Sequence, residues 1–229
     1  MNIKDFVLNT EFKKFLDKAK VLEVKIKNAD PTLEDITLDE LSYKKYFYYP
    51  SRFKIGLIIF FIMIVYMAFF SGAAVAIPDL LVNNPSYEIK SISFVLSLIV
   101  SGLVSFSHLG FTLSGYYYGA VIQRYLNSVV FFYSLAMALL RGVSSAVGFY
   151  FLFIALCCLF IKLILNSQYY IGFLWMRICT RANRILFKNE LDKIKGLNKK
   201  QLREYSRVMS LEKRKKIRDK KRASQSVEK

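Results

Sequence analysis

The sequence has few of the residues that usually carry catalysis, metal binding or disulfide bonding. It contains one histidine, His108, which excludes a site built from several histidine ligands. Its three cysteines form no disulfide framework, because Cys157 and Cys158 are neighbours in an apolar stretch and Cys179 lies beyond it. Small apolar or interfacial side chains are therefore the simpler interpretation of the cysteines.

Sequence motifs of common enzymes are absent as well. The chain has no HExxH zinc motif, no GxSxG nucleophile elbow and no phosphate-binding GxxxxGK[ST] loop. The only acids between Ile55 and Ile161 are Asp79 and Glu88, so no pair of interior carboxylates is positioned for acid–base chemistry. We therefore expect a non-enzymatic protein that uses no cofactor and no metal.

Apolar residues, in contrast, are abundant. Between Ile55 and Ile161 only five residues are charged: Asp79, Glu88, Lys90, Arg124 and Arg141. A helix of about 20 apolar residues crosses a hydrocarbon core of roughly 30 Å, and this block is long enough for several such helices. We predict an all-α, polytopic membrane protein with four transmembrane helices, at about 55–77, 92–113, 119–140 and 142–165.

Local signals set the limits of these spans. Pro78 is expected to stop the first span, because proline cannot continue a helix without losing a hydrogen bond. The third span is predicted to begin near Gly119 and to include the polar residues Gln123 and Asn127. An alternative places residues 114–150 in a re-entrant element.

The segments that flank the spans predict the orientation. Residues 1–54 carry 11 Lys and Arg against 9 acids, and residues 162–229 carry 20 against 6. Cytoplasmic segments are enriched in Lys and Arg, whereas the loop 78–90 has one cation and two acids. We expect short N-terminal cytoplasmic helices over 1–54 and a basic helical cytoplasmic extension over 166–229.

The N-terminal segment carries two helix signals and no pattern of a cleaved leader. Thr10 can cap a helix that contains Phe12, Phe15 and Leu16. The sequence Thr37–Glu40 is a capping box for a second helix.

The second predicted span carries a polar stripe. Its members fall within one face of about 120° on a helical wheel. Such a stripe suits a helix-packing seam, because small residues let backbones approach and hydroxyls bond across the interface. The alternative is the lining of a hydrated cavity or oligomeric pore, with His108 as a titratable element. We favour the seam; the candidate residues for either role are Ser97, Ser101, Ser105, His108 and Thr112.

Two cations belong to the third span. Arg124 is expected a turn or two inside the cytoplasmic boundary, and Arg141 in the outer turn. Both can extend their side chains toward the headgroups. If either faces the bundle interior instead, it becomes a candidate for anion contact or for a gating charge.

Two groups of cations follow the last span. The first is a helical stripe at spacings of four, three and four: Arg177, Arg181, Arg184 and Lys188. Its helix has an apolar opposite face and suits the inner membrane surface, or extends the fourth span into a cytoplasmic bundle. The second group holds eight cations in ten residues: Lys213, Arg214, Lys215, Lys216, Arg218, Lys220, Lys221 and Arg222.

The second group has three interpretations. A disordered tail can hold the anionic membrane lipid of the inner leaflet. A helical tail can dock an acidic cytoplasmic effector protein, for which the preceding helices supply apolar anchors. Direct nucleic-acid binding is the least favoured, because no recognition fold or aromatic platform accompanies the charge.

Three functional hypotheses follow from these patterns. The first is an oligomeric membrane sensor or scaffold that holds an effector on its basic tail. The second is a small ion channel lined by the polar face of the second span. The third is an exclusion or immunity protein that blocks a foreign machine in the membrane.

The layout of the chain resembles a known family. Residues Lys45–Pro50 read KYFYYP, four predicted spans follow, and a basic helical extension runs from Tyr169 to Arg222. This layout is similar to the membrane subunit of Kiwa, a two-component bacterial anti-phage defence system. The resemblance implies an inner-membrane homo-oligomer, such as a tetramer, that senses phage attack and works with a cytoplasmic DNA-binding partner subunit. It carries no site residues over to this chain.

Overall fold

A computed structural model of the chain describes residues 10–28, 30, 33, 51–82 and 85–227. Within these ranges the protein is all-α, as the sequence predicts, and has no β-strand. Its seven described helices are α1 (Thr10–Lys27), α2 (Arg52–Leu81), α3 (Tyr87–Leu113), α4 (Tyr117–Arg141), α5 (Ala146–Leu165), α6 (Gln168–Ile194) and α7 (Lys199–Val227). The chain divides into two compact units, Met1–Asn183 and Arg184–Lys229.

Helices α2 to α5 form a four-helix bundle in the first unit. Each helix packs against the next, and α5 closes the bundle against α2. The connections between α3 and α4 and between α4 and α5 are tight turns, each with one glycine at a φ of 76°, Gly115 and Gly142. Such short connections make successive helices antiparallel.

The outside of the bundle is apolar. Large apolar side chains are more than half exposed on every helix, for example Phe60, Leu96, Val129 and Phe153. In the part of the chain that the structure describes, three helices are long and apolar enough to cross a membrane: Phe53–Asp79, Tyr87–Leu113 and Ala146–Leu165. An apolar exterior on helices of this length indicates a membrane protein.

Helix α4 corresponds to the predicted third span but is less apolar than the other three. It is one continuous helix of 25 residues, about 37 Å at 1.5 Å per residue. No break interrupts this helix, and turns in the stretch 114–150 lie only before it, at 114–116, and after it, at 142–145.

Several predicted boundaries need correction. Pro78 does not stop the first span, since α2 continues to Leu81 and the Val82 N–H donates to the Pro78 carbonyl at 3.0 Å. Proline removes one hydrogen bond of the helix and crowds the carbonyl four residues earlier; here the last turn nevertheless continues past it to Leu81. Helix α3 begins at Tyr87 and not near 92, because the Ser86 hydroxyl caps it by accepting from the Ile89 N–H. Residues 142–145 form a turn that precedes α5.

Helix α1 packs its apolar face against the bundle, mainly on α4. Phe12, Phe15 and Leu16 are buried, as the helix prediction requires, and Thr10 is its first helical residue. The Phe12 N–H donates to the Asn166 Oδ1 at 3.0 Å, which ties the start of α1 to the end of α5. The predicted capping box Thr37–Glu40 and the aromatic stretch Lys45–Pro50 lie outside the described residues.

The first half of α6 belongs to the same unit and is buried in protein. Its apolar face consists of Ile171, Leu174, Ile178 and Ala182, each at most 5% exposed. The expectation that this face lies in the membrane surface is thus wrong for these four residues. The apolar area packs against neighbouring helices, which removes it from water as completely as lipid would.

The second unit contains the end of α6 and all of α7. The Asn198 N–H donates to the Gln201 Oε1 at 2.9 Å, a contact typical of a capping box, at the start of α7. Helix α7 then continues through the basic run to Val227, 29 residues in all. The alternative of a disordered tail is therefore not supported for 199–227.

Candidate functional site

The polar stripe of α3 lies in the interior of the bundle. Ser101, Ser105, His108 and Thr112 are each at most 5% exposed, and Ser97, nearer the helix start, is half-buried. The interpretation as a pore lined by several copies of the chain is wrong for the four buried residues, because they face helices of their own chain. We use the term polar column for the buried polar residues of α3 and α4. These are Ser101, Ser105, His108, Thr112, Gln123, Asn127 and Ser134.

The α4 side of the polar column faces the α3 side. Gly119 lies against Thr112, since a Cβ atom at Gly119 would be 2.7 Å from the Thr112 hydroxyl. One turn further along each antiparallel helix, Gln123 lies beside His108. The small glycine therefore permits the close approach that brings the two polar faces together.

Side chains from α6 and α2 contact the polar column at its centre. The Tyr170 hydroxyl from α6 donates to the Gln123 Oε1 at 2.6 Å, and both residues are at most 1% exposed. The Tyr66 ring from α2 lies edge-on to His108 with ring centres 6.4 Å apart. Burial raises the pKa of Tyr170, and its hydrogen bond to Gln123 offsets part of that rise.

Further along α4, Asn127 anchors the polar column to α5. Its Nδ2 donates to the Cys158 carbonyl at 3.2 Å. Six buried polar atoms in this region have no protein partner among the described residues: Tyr66 Oη, Ser105 Oγ, His108 Nε2, Gln123 Nε2, Asn127 Oδ1 and Ser134 Oγ. Polar atoms in such a setting form the kind of interior that ordered water occupies.

The two predicted intramembrane cations occupy different settings. Arg124 is partly exposed about two turns into α4, and its neighbour Gln123 takes the inward position. Arg141, the last residue of α4, extends toward α2 and donates from Nη2 to the Ala76 carbonyl at 3.4 Å. It also lines a cavity between α2 and α5.

The first two members of the predicted basic stripe make internal contacts. Arg181 forms a bidentate ion pair with Glu23 of α1, at 2.7 and 2.9 Å, and its guanidinium stacks 3.8 Å from the Tyr116 ring centre. Arg177 donates from Nε to the Leu113 carbonyl at 2.6 Å. The prediction that Arg181 meets lipid or a partner is wrong, because Glu23 and Tyr116 occupy its guanidinium.

The remaining predicted cations lie in the second unit. Arg184 and Lys188 are exposed on α6, and Arg214, Lys215 and Arg218 are exposed on α7. Lys213, Lys216, Lys220, Lys221 and Arg222 lie on α7 as well, but their side chains are outside the described part. Exposed apolar residues accompany them: Phe187, Leu191, Leu202, Val208 and Leu211.

Glu23 is the functional-site residue that the sequence interpretation missed. It lies on the buried face of α1 between Leu22 and Ile26, and its side chain is only 5% exposed. A lone carboxylate on an otherwise apolar helix face is the signal that indicates a buried cationic partner.

Within the described residues, no group of three or more His, Cys, Asp or Glu side chains could hold a metal ion. The polar column offers amide, hydroxyl and imidazole groups and no carboxylate, so it can bind water or relay hydrogen bonds. No protein-family model, curated protein or solved structure matches the chain.

Proposed function

We propose that the protein is a non-enzymatic, oligomeric scaffold and sensor in the bacterial inner membrane, which holds an acidic cytoplasmic effector on its C-terminal unit. The observation that carries this proposal is the composition of that unit's surface. Residues 184–229 contain 17 Lys and Arg against 6 acids, and Leu202, Val208 and Leu211 are exposed beside the cations of α7. Apolar anchors contribute affinity and cations steer an acidic partner.

The proposal includes four membrane spans and cytoplasmic termini. Helix α4 supports a fourth span because its polar residues Gln123 and Asn127 are buried. Its most exposed residues are mainly apolar and include Val129, Phe132 and Leu139, each more than 60% exposed. A helix with its polar side inward and its apolar side outward suits lipid in spite of modest mean hydropathy.

The first experiment replaces three exposed cations of α7, Arg214, Lys215 and Arg218, with glutamate. The tagged protein is extracted gently from its own cells with neighbouring genes intact and studied by native mass spectrometry. We expect the wild type to carry a soluble protein in fixed stoichiometry. The variant should lose roughly tenfold or more of that protein, since three attractive charges become repulsive.

The matched control changes three exposed lysines of α1, Lys13, Lys18 and Lys20, to glutamate. The net charge of the chain then changes by the same amount, and the partner should be retained. Equal loss of the soluble protein from both variants would indicate that its binding depends on the net charge of the chain and not on the α7 cations. Unchanged partner recovery together with unchanged membrane attachment in the α7 variant would contradict both the docking and the lipid interpretation of the tail.

The biological setting that we propose is anti-phage defence, which follows from the resemblance to the Kiwa membrane subunit. Phage plating efficiency on cells with and without the intact locus tests it directly. Protection should require the α7 cations, because the effector would be lost without them. Equal plating in the presence and absence of the locus across a phage panel would remove defence from the proposal.

A channel is the second candidate, and the six buried polar atoms in and beside the polar column that have no hydrogen-bond partner among the described residues favour it. The pathway would lie within one chain, between α3 and α4. Conductance of reconstituted liposomes that falls when Ser101→Val or His108→Leu is introduced would support it. Purified oligomer without conductance would leave the scaffold as the function.

A further inference from the structure

A cavity lies at the end of the bundle that is opposite α1. It encloses about 320 Å³ between the end of α2, the end of α4 and the first turn of α5. Gly72, Val75 and Ala76 form one wall, and Val147 and Tyr150 form the other. Val75 and Val147 are more than 40% exposed, so the mouth of the cavity opens on the apolar exterior of the bundle.

Arg141 places a cation in this cavity with most of its donors unused. A guanidinium carries five N–H donors. Within the described part of the chain, Arg141 uses one, from Nη2 to the Ala76 carbonyl at the long distance of 3.4 Å. Its Nε is buried and has no hydrogen-bond partner there. Buried charged donors without acceptors are costly, so this site favours an anion.

The start of α5 adds a second positive feature. Ala146 and Val147 line the cavity, and the N–H groups of this first turn have no acceptor within the helix. The helix dipole also places partial positive charge at this end. The Ser145 hydroxyl accepts from the Gly148 N–H at 3.0 Å, which leaves the two earlier N–H groups of the helix uncapped by this side chain.

The lining of the cavity also includes one carboxylate, whose negative charge affects the net charge of the site. Asp79 lines it, and its Oδ1 is 2.9 Å from the Lys90 Nζ of α3. The Asp79 charge is thus balanced by Lys90, and Arg141 is left as the uncompensated charge. The local field therefore remains positive despite the acid.

We propose that this cavity binds the phosphate of an anionic membrane phospholipid. The guanidinium of Arg141 donates two parallel hydrogen bonds to the phosphate, in the bidentate geometry that is typical of arginine–phosphate pairs. One acyl chain leaves through the mouth at Val75 and Val147 and lies along the apolar exterior of the bundle, because the Tyr150 ring packs against Gly72 and closes that side of the cavity. A soluble phosphate compound would not need an opening toward lipid. The inference rests on the membrane placement of the bundle and not on the effector proposed above.

The test is lipid titration by native mass spectrometry of the full-length, delipidated protein. The probes are phosphatidylglycerol and phosphatidylcholine with identical acyl chains. We expect the wild type to bind one phosphatidylglycerol per chain tightly, with a preference of roughly tenfold over phosphatidylcholine. Arg141→Gln should abolish that preference, and Val147→Trp, which fills the mouth but keeps the charge, should weaken binding of both lipids.

The matched control is Arg124→Gln, which removes the same charge from the other end of α4 and should leave the preference unchanged. Arg141→Lys keeps the charge but lacks the forked geometry of the guanidinium, so it should retain only part of the preference for phosphatidylglycerol. Equal lipid preference in the wild type and Arg141→Gln would overturn the proposal. Displacement of the lipid by excess inorganic phosphate would overturn it too, since the site would then recognise a free anion.

Discussion

At the scale of single residues, Arg181 has the most consequential set of contacts in the first unit. It joins α6 to Glu23 of α1, to the Tyr116 ring and, from Nη1, to the Gly115 carbonyl at 3.3 Å. Its side chain is 15% exposed and that of Glu23 is 5% exposed, so removal of either partner leaves a largely buried charge. These contacts attach the N-terminal helix to the segment that leads into the basic unit.

We predict that Arg181→Ala and Glu23→Ala each lower the free energy of unfolding by about 2 kcal/mol. The double variant should lose clearly less than the sum of the two, because the second substitution removes the charge that the first left unpaired. Chemical denaturation in detergent, followed by circular dichroism, measures all three.

The exposed pair Glu11 and Lys14 provides the control for this prediction. Its side chains are 51% and 67% exposed, at an N–O distance of 2.7 Å equal to that of the buried pair. Glu11→Ala should therefore change the free energy of unfolding by about 0.5 kcal/mol or less. A similar cost for both pairs would mean that burial does not set the strength of the Arg181 contact.

We also predict that Gly115→Ala is destabilising by about 2 kcal/mol, because two costs combine at this turn. The backbone φ of 76° disfavours any side chain, and a Cβ atom would collide with the Arg177 carbonyl of α6. Gly110→Ala is the control, since it lies in α3 with open space around the added methyl group. Thermal unfolding of the two variants should separate them; equal midpoints would refute the close approach of α6 to this turn.

At the scale of secondary-structure elements, α4 shows how a polar helix is placed in an apolar bundle. Its polar side faces other helices, where the Tyr170 hydroxyl donates to the Gln123 Oε1 and the Asn127 Nδ2 donates to the Cys158 carbonyl. Its apolar side faces outward. Mean hydropathy averages the two sides of a helix. The mean hydropathy of α4 is therefore lower than that of α2, α3 and α5, although its exposed surface resembles theirs.

For this element we predict that Gln123→Leu lowers the free energy of unfolding by about 1 to 3 kcal/mol. The substitution leaves the buried Tyr170 hydroxyl without its acceptor. Adding Tyr170→Phe to Gln123→Leu should recover part of the loss, because the pair is then apolar on both sides. Denaturation of the single and double variants measures this.

Ser128→Ala is the matched control on α4. The Ser128 side chain is exposed and donates to the Arg124 carbonyl of its own helix, at 3.0 Å. Its replacement should cost about 0.5 kcal/mol or less. If the double variant instead loses as much as the sum of the single ones, Gln123 and Tyr170 do not act as a pair.

At the scale of the whole molecule, the proposed topology makes a prediction about labelling. In a cysteine-free background, a cysteine added after Lys229 should resist an impermeant thiol reagent in intact cells, because the basic C-terminal segment is retained inside. Ser86→Cys, in the connection between α2 and α3, should react. Reaction of the C-terminal cysteine would refute the cytoplasmic tail. Protection of both cysteines would refute the three spans, an odd number, that the proposed topology places between them.

Much of the fold could be predicted from the sequence because its signals are local. The apolar runs predict α2, α3 and α5, and the pattern Asn198–Gln201 predicts the start of α7. Boundaries were harder where two signals compete, as at Pro78, where a proline near the end of a long apolar run did not stop the helix. For the candidate site, the polar stripe of α3 was visible as a periodicity, but its partner helix was not.

The sequence by itself determined the helical class, the apolar exterior and the concentration of positive charge in the last segment, since each depends on the composition or periodicity of neighbouring residues. Only the tertiary structure decided that Arg181 meets Glu23, 158 residues away, and that Gln123 meets Tyr170, 47 residues away. It also decided that Ile171 and Leu174 pack on protein and not on lipid. A helical wheel shows which residues share a face, but the close approach of distant helices determines what that face contacts.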